Sequence, residues 1–135
     1  MNIVELLTST TSRLPNQPAI HFRGNPITYK QLQDKVFSVA AGLKDLGVEK
    51  GTHVAIMMTN RPEYIITYFA ILANGATVVP INPTFKEKEV KYILNDSECV
   101  MLITEQLTKP VVENILEEVP AIKQALERAN LSIED

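Results

Sequence analysis

The stretch from Gly47 to Pro83, GVEKGTHVAIMMTNRPEYIITYFAILANGATVVPINP, leaves a chain few ways to fold. His53-Val-Ala-Ile-Met-Met58 is apolar almost throughout and lacks the alternation of a strand with one wet face. Such a run suits a strand buried on both sides, as in a parallel sheet. Asn60-Arg-Pro-Glu63 then has the marks of a helix start. Asn60 is the expected cap, Pro62 sits in the first turn where a missing N–H costs nothing, and Glu63 lies by the positive end of the dipole. Ile65, Phe69 and Leu72 are expected to face inward, and Asn74-Gly75 to end the helix. Thr77-Val-Val-Pro-Ile81 is a second buried strand. Pro80 has no donor, which places that strand end at an edge or a bulge.

The flanking residues extend the pattern. Asn2-Ile-Val-Glu5 has the form of a capping box, with Ile3, Leu6 and Leu7 as a short apolar face that Pro15 and Pro18 end. Residues 19–28 alternate as a hairpin with Gly24-Asn25 as its turn. Thr28-Tyr-Lys-Gln31 is a second capping box. Behind it, Tyr29, Leu32, Val36, Val39, Leu43 and Leu46 form one helical stripe, closed by Gly47. Thr84-Phe-Lys-Glu87 is read as a third box, followed by Val90, Ile93 and Leu94. Cys99 to Ile103 is the third strand. Thr108 and Pro110 open another helix that Pro120 interrupts, and Ile122 to Ala129 is expected to form a last one. The prediction is an α/β fold: a βαβαβ parallel sheet covered by helices, preceded by a helix and a β-hairpin. No repeat or long linker divides residues 1–135, so a single domain is expected.

Composition narrows the function classes. A net charge of −3 gives the chain no pull toward nucleic acid or an anionic membrane. Residues 105–135 carry seven acids against three bases, which reads as a solvated acidic surface. The one cysteine, Cys99, excludes an internal disulfide and heads the apolar run CVMLI, where a buried inert thiol is expected. There is no signal-peptide pattern and no window near the ~20 apolar residues of a spanning helix, so a cytoplasmic location is expected.

Ligands of open α/β sheets bind beyond the C-terminal strand ends. Here those are Met58-Thr59-Asn60, Ile81-Asn82-Pro83-Thr84 and Ile103-Thr104-Glu105. Helix starts at Asn60 and Thr84 could face an anion, but capping alone explains both residues. All five glycines lie at or before Gly75, so residues 76–135 cannot form a Gly-rich phosphate loop, and no strand is followed by G-x-G-x-x-G. His21 is expected on the outer face of the hairpin and His53 ahead of a buried strand. Neither has a partner at metal or triad spacing. Glu117 and Glu118 point in different directions and are expected in solvent. Tyr64/Tyr68 and Phe69/Leu72 read as packing. No catalytic, cofactor-binding or metal-ligating residue is assigned.

Two motifs nonetheless carry a family resemblance. Ile27-Thr-Tyr-Lys-Gln-Leu32 resembles the first core motif of the acyl-adenylate-forming enzymes, the group of the acyl-CoA synthetases, firefly luciferase and peptide-synthetase adenylation domains. Leu72-Ala-Asn-Gly-Ala-Thr-Val-Val-Pro-Ile-Asn-Pro83 resembles the second, with Gly47, Gly51 and Asn60 to Glu63 at the family's spacing between them. The likeness covers about residues 1–104. The run Val78 to Pro83 followed by Thr-Phe-Lys-Glu-Lys-Glu is most similar to bacterial long-chain fatty acyl-CoA synthetases.

The resemblance implies the N-terminal portion of a carboxylate–CoA ligase that uses ATP, Mg and CoA, with a carboxylic acid, most simply a fatty acid, as substrate. Both motifs are scaffold in that family. Its phosphate loop, magnesium acid, ribose aspartate and mobile-domain lysine have no counterpart here, so this chain alone is expected to be inactive, to hold no cofactor and to self-associate. The tail from Ala125 to Asp135 is unlike the family's continuation. A stand-alone α/β binding or regulatory module is the alternative.

Overall fold

The computed structural model describes residues 2–122 and the backbone of 124–127. A four-stranded parallel sheet in the order β4-β3-β5-β6 is built from β3 (His53–Met57), β4 (Thr77–Pro80), β5 (Met101–Thr104) and β6 (Gln124–Glu127). Ahead of it come α1 (Ile3–Arg13), the antiparallel hairpin β1 (Pro18–Phe22) and β2 (Asn25–Thr28), and α2 (Tyr29–Asp45). The connections are α3 (Pro62–Ala73), α4 (Glu87–Asp96) and the short α5 (Lys109–Glu113), which runs into a 3-10 turn at Leu116–Glu118. Among the described residues no helix is long and apolar enough to cross a membrane.

The α/β class and the βαβαβ core are as the sequence predicts, and two boxes form in full. Asn2 Oδ1 accepts the Glu5 N–H at 2.8 Å. Thr28 Oγ1 accepts the Gln31 N–H at 3.1 Å while Gln31 Oε1 accepts the Thr28 N–H at 2.9 Å. The α2 stripe buries Leu32, Val36, Val39 and Leu43, although Leu46 at its end is exposed.

Strand β3 is buried from Val54 onward and splits its side chains by parity. Val54, Ile56 and Met58 enter the core under α1, α2 and α3, while Ala55 and Met57 enter the core under α4 and α5. Pro80 stands on the edge strand. Thr77 N–H and Ile81 N–H reach the carbonyls of Thr52 and Ile56, each at 2.8 Å, so the alternating position Pro80 turns its missing donor away from the sheet.

Several expectations are corrected. The hairpin turns at Arg23-Gly24, both at positive φ (52° and 79°), and Phe22 pairs with Asn25, so Gly24-Asn25 is not the turn. Ile3 and Leu6 are exposed, and α1 docks through Leu7 and Thr11. On α3 the fully buried face is Ile66, Thr67, Ala70 and Ile71, and Ile65, Phe69 and Leu72 are half-buried. That helix is apolar on nearly every side, so periodicity could not fix its rotation.

The cap of α3 is Arg61, without a side-chain bond, and not Asn60. Helix α4 starts at Glu87, with Lys86 as its cap. Glu89 takes the Lys86 N–H at 3.4 Å, and Thr84 instead gives its N–H and hydroxyl to Asn82 Oδ1 at 2.9 and 2.7 Å. The helix expected over Ile122–Ala129 is replaced by β6, paired in parallel to β5 from Met101↔Gln124 to Thr104↔Glu127. Lys123, Arg128 and Ala129 lie outside the described residues. A free sheet edge outweighs helix propensity in so short a segment.

Candidate functional site: the crevice between strands β3 and β5

From β3 the chain passes through α3 to β4 on one side. From β4 it crosses over through α4 to β5 on the other side of β3. Helix α3 packs on one face of the sheet and α5 on the opposite face. The loops after β3 and β5 therefore diverge, and a crevice opens between them at the C-terminal ends of the strands. Open α/β sheets place their ligand sites at such switch points.

The crevice has a volume of about 730 Å³, with Thr59, Arg61 and Glu105 in its floor and Phe22, Arg23 and Leu107 toward its mouth. Arg23 holds its guanidinium 5.0 Å above the Phe22 ring, and Leu107 is 72% exposed.

Glu105 is the unusual residue. It follows directly on β5 and is only 3% exposed, a placement a carboxylate tolerates only with donors around it. Its carboxylate accepts the Thr59 backbone N–H. The Thr59 hydroxyl lies 3.1 and 2.9 Å from the two carboxylate oxygens. Arg61 Nη1 stands 3.4 Å from Oε1, while Arg61 Nε is 3.2 Å from Glu63 Oε2. The Glu105 N–H donates to Thr108 Oγ1 at 3.2 Å, and the Thr108 hydroxyl donates to the Met57 carbonyl at 2.8 Å. Glu105 and Thr108 thus tie the β5–α5 turn to the end of β3 from both sides.

A second cleft of about 450 Å³ lies between the ends of β3 and β4, against Met58, Asn60, Tyr64, Ile81 and Asn82. Tyr64 stacks on Tyr68 with ring centroids 6.1 Å apart. Burial, and then the neighbouring Tyr68, push its phenol above the ordinary range, so it stays protonated.

The remaining sequence candidates stay apart from both clefts. His21 is exposed on the hairpin. His53 places Nδ1 2.8 Å from the Ser97 carbonyl, holding the end of α4 to the start of β3. Cys99 is fully buried. Desolvation raises its thiol, and the Ser97 hydroxyl at 3.1 Å offsets this in part. Glu117 and Glu118 are exposed, the latter 3.3 Å from Lys91. No group of three or more metal-ligating side chains occurs among the described residues. The sequence pattern does not mark Glu105, Thr59 and Arg61 as partners, although the structure brings them together. The available signal was an acid placed directly after the all-buried strand Met101–Thr104.

A family model described as "AMP-binding enzyme" matches residues 7–134. This chain belongs to the AMP-binding enzyme family. The matched span runs beyond Gln124, which corrects the departure expected there. The long-chain-fatty-acid–CoA ligase of Bacillus subtilis is 35% identical over 105 residues, 78% of this chain and 19% of that protein. The medium/long-chain-fatty-acid–CoA/3-oxocholest-4-en-26-oate–CoA ligase of Mycolicibacterium smegmatis is 34% identical over 126 residues, 93% of this chain and 23% of that protein. The crystal structure of the anthranilate CoA ligase AuaEII in complex with anthranoyl-AMP superposes with a TM-score of 0.91 at 28% identity, over 98% of this chain and 26% of that one. The chain therefore spans about a fifth to a quarter of these family members.

The description AMP-binding enzyme implies a nucleotide ligand. The floor of this crevice does not fit the phosphates of such a ligand. The donors at the switch point are already engaged by Glu105, and no glycine follows Gly75 to allow close backbone approach.

Proposed function

We propose that this chain is the N-terminal part of an ATP-dependent fatty acid–CoA ligase and serves as scaffold in it. In the reaction of such a ligase the fatty carboxylate attacks the α-phosphorus of ATP and displaces pyrophosphate to give an acyl-AMP, and the CoA thiol then takes the acyl group with release of AMP. The likeness to the Mycolicibacterium ligase over 93% of the chain carries this reading. The paired donors around Glu105 support the scaffold role, because a phosphate in flight needs donors that are free to follow its charge. On this reading the phosphate-binding and catalytic groups lie in other segments of the ligase, the chain alone is inactive, and the protein works in the cytoplasm. The isolated chain self-associates through apolar surface such as Leu107 and Tyr92, both well exposed.

An antibody raised to this chain tests the proposal on the native protein. The expected result is a captured product much larger than the 15.1 kDa of this chain, with ATP–pyrophosphate exchange that depends on a fatty acid. A captured product of this chain's own mass without exchange activity would overturn it and favour a binding or regulatory module.

A further inference from the structure

The floor of the switch-point crevice has the chemistry of an anion site. A backbone N–H at a strand end, a hydroxyl and a guanidinium converge on one point. This is where open α/β sheets commonly hold a ligand's negative charge. The point is occupied from within. The Glu105 carboxylate takes the Thr59 N–H, the Thr59 hydroxyl and Arg61 Nη1. Its side chain is 4% exposed and that of Arg61 24%, so the pair is set back from bulk water.

We propose that Thr59 and Arg61 form a carboxylate-binding cradle and that Glu105 is its resident ligand, closing the floor of the crevice to anionic substrates. The argument is one of charge and space. An incoming carboxylate or phosphate at that floor would have to displace Glu105, leaving a buried carboxylate without donors, or sit against Glu105 and share Arg61, which Glu63 also pairs. The other cation of the crevice, Arg23, stands over Phe22 away from the cradle. Either route is unfavourable, so the site that topology offers to a substrate anion is sealed by the chain itself. Glu105 is in this sense a specificity-determining residue. It directs anionic groups away from these strands, and the inference rests on the crevice alone, whichever reaction the longer protein performs.

Glu105→Ala removes a CH2–CO2⁻ group, which acetate matches in size and charge. The variant of the 135-residue chain should melt lower than wild type by about 10 °C or more, as for a broken buried ion pair. Sodium acetate at about 100 mM should then raise its midpoint by a few degrees, saturably. Sodium chloride at equal ionic strength and neutral acetamide should not, and wild type should not respond to acetate. Equal responses of wild type and variant, or equal effects of acetate and acetamide, would overturn the proposal.

If Glu105→Ala does not fold in plain buffer, refolding should succeed in acetate and fail in acetamide; failure in both would count against the cradle. Glu105→Gln supplies a second readout, since it keeps the shape and loses the charge. The Thr59 amide proton resonance should move upfield relative to wild type, and an unmoved Thr59 amide would contradict the assignment of Glu105 as its charged acceptor.

Discussion

The two faces of the sheet are built differently from the same central strand. On the face that receives Val54, Ile56 and Met58, α2 and α3 are long and end in glycines at φ +99° (Gly47) and +77° (Gly75). On the face that receives Ala55 and Met57, α4 has ten residues and α5 five. Helix α4 is followed not by glycine but by Glu98 at φ 56°. Helix α2 begins with a complete capping box, whereas α4 has only the Glu89 half of one. Local sequence signals largely specify the first face. The second depends on tertiary packing to hold short elements that are weakly specified by themselves.

Matched core truncations test this contrast with the largest effect. Leu43 and Leu94 are both essentially without exposure, one under each face. Leu43→Ala should cost about 3–5 kcal/mol and Leu94→Ala about 2–3, because short elements relax more readily into the vacated space. Equal losses in denaturant unfolding would break the comparison.

The caps give the next size of effect. Thr28→Ala removes a working cap and should cost about 1 kcal/mol. Thr84→Ala, at a residue that does not cap α4, should stay within about 0.5 kcal/mol. Glu98→Gly should stabilise by up to about 1 kcal/mol, since glycine takes the left-handed position without strain. A loss at Glu98→Gly would mean that the Glu98 side chain has a role its backbone geometry does not suggest.

The smallest effect at neutral pH is that of Cys99. Burial holds the thiol protonated at pH values where the unfolded chain has lost its proton. The native state then binds more protons than the unfolded state, so stability falls as pH rises into and above the ordinary thiol range and is unaffected below it. A Cys99→Ala variant should lose this alkaline slope in unfolding curves measured across pH 7–10. Native labelling of Cys99 by an alkylating reagent should follow global unfolding.

Legibility cut across that division, because α2 and α3 lie on the same face and only α2 could be read in full. The α2 stripe from Leu32 to Leu43 repeats at steps of three and four, so its buried side could be read directly. Helix α3 is apolar on most sides and gave a helix without a rotation. The segment around Gln124 carries no strong propensity, and its pairing with β5 is a contact that no local pattern encodes. The C-terminal strand ends were identifiable as the place for a site. That Glu105 turns back onto Thr59 was not, because one acid after a strand looks the same whether it faces solvent or the next loop.

The most direct test of the central claim, that this part of an AMP-binding enzyme is scaffold with its anion cradle filled from within, is calorimetric titration of the purified chain with Mg·ATP. No saturable heat up to about 1 mM nucleotide is the predicted result. Saturable binding with a micromolar Kd would contradict the account and place a nucleotide site among these residues.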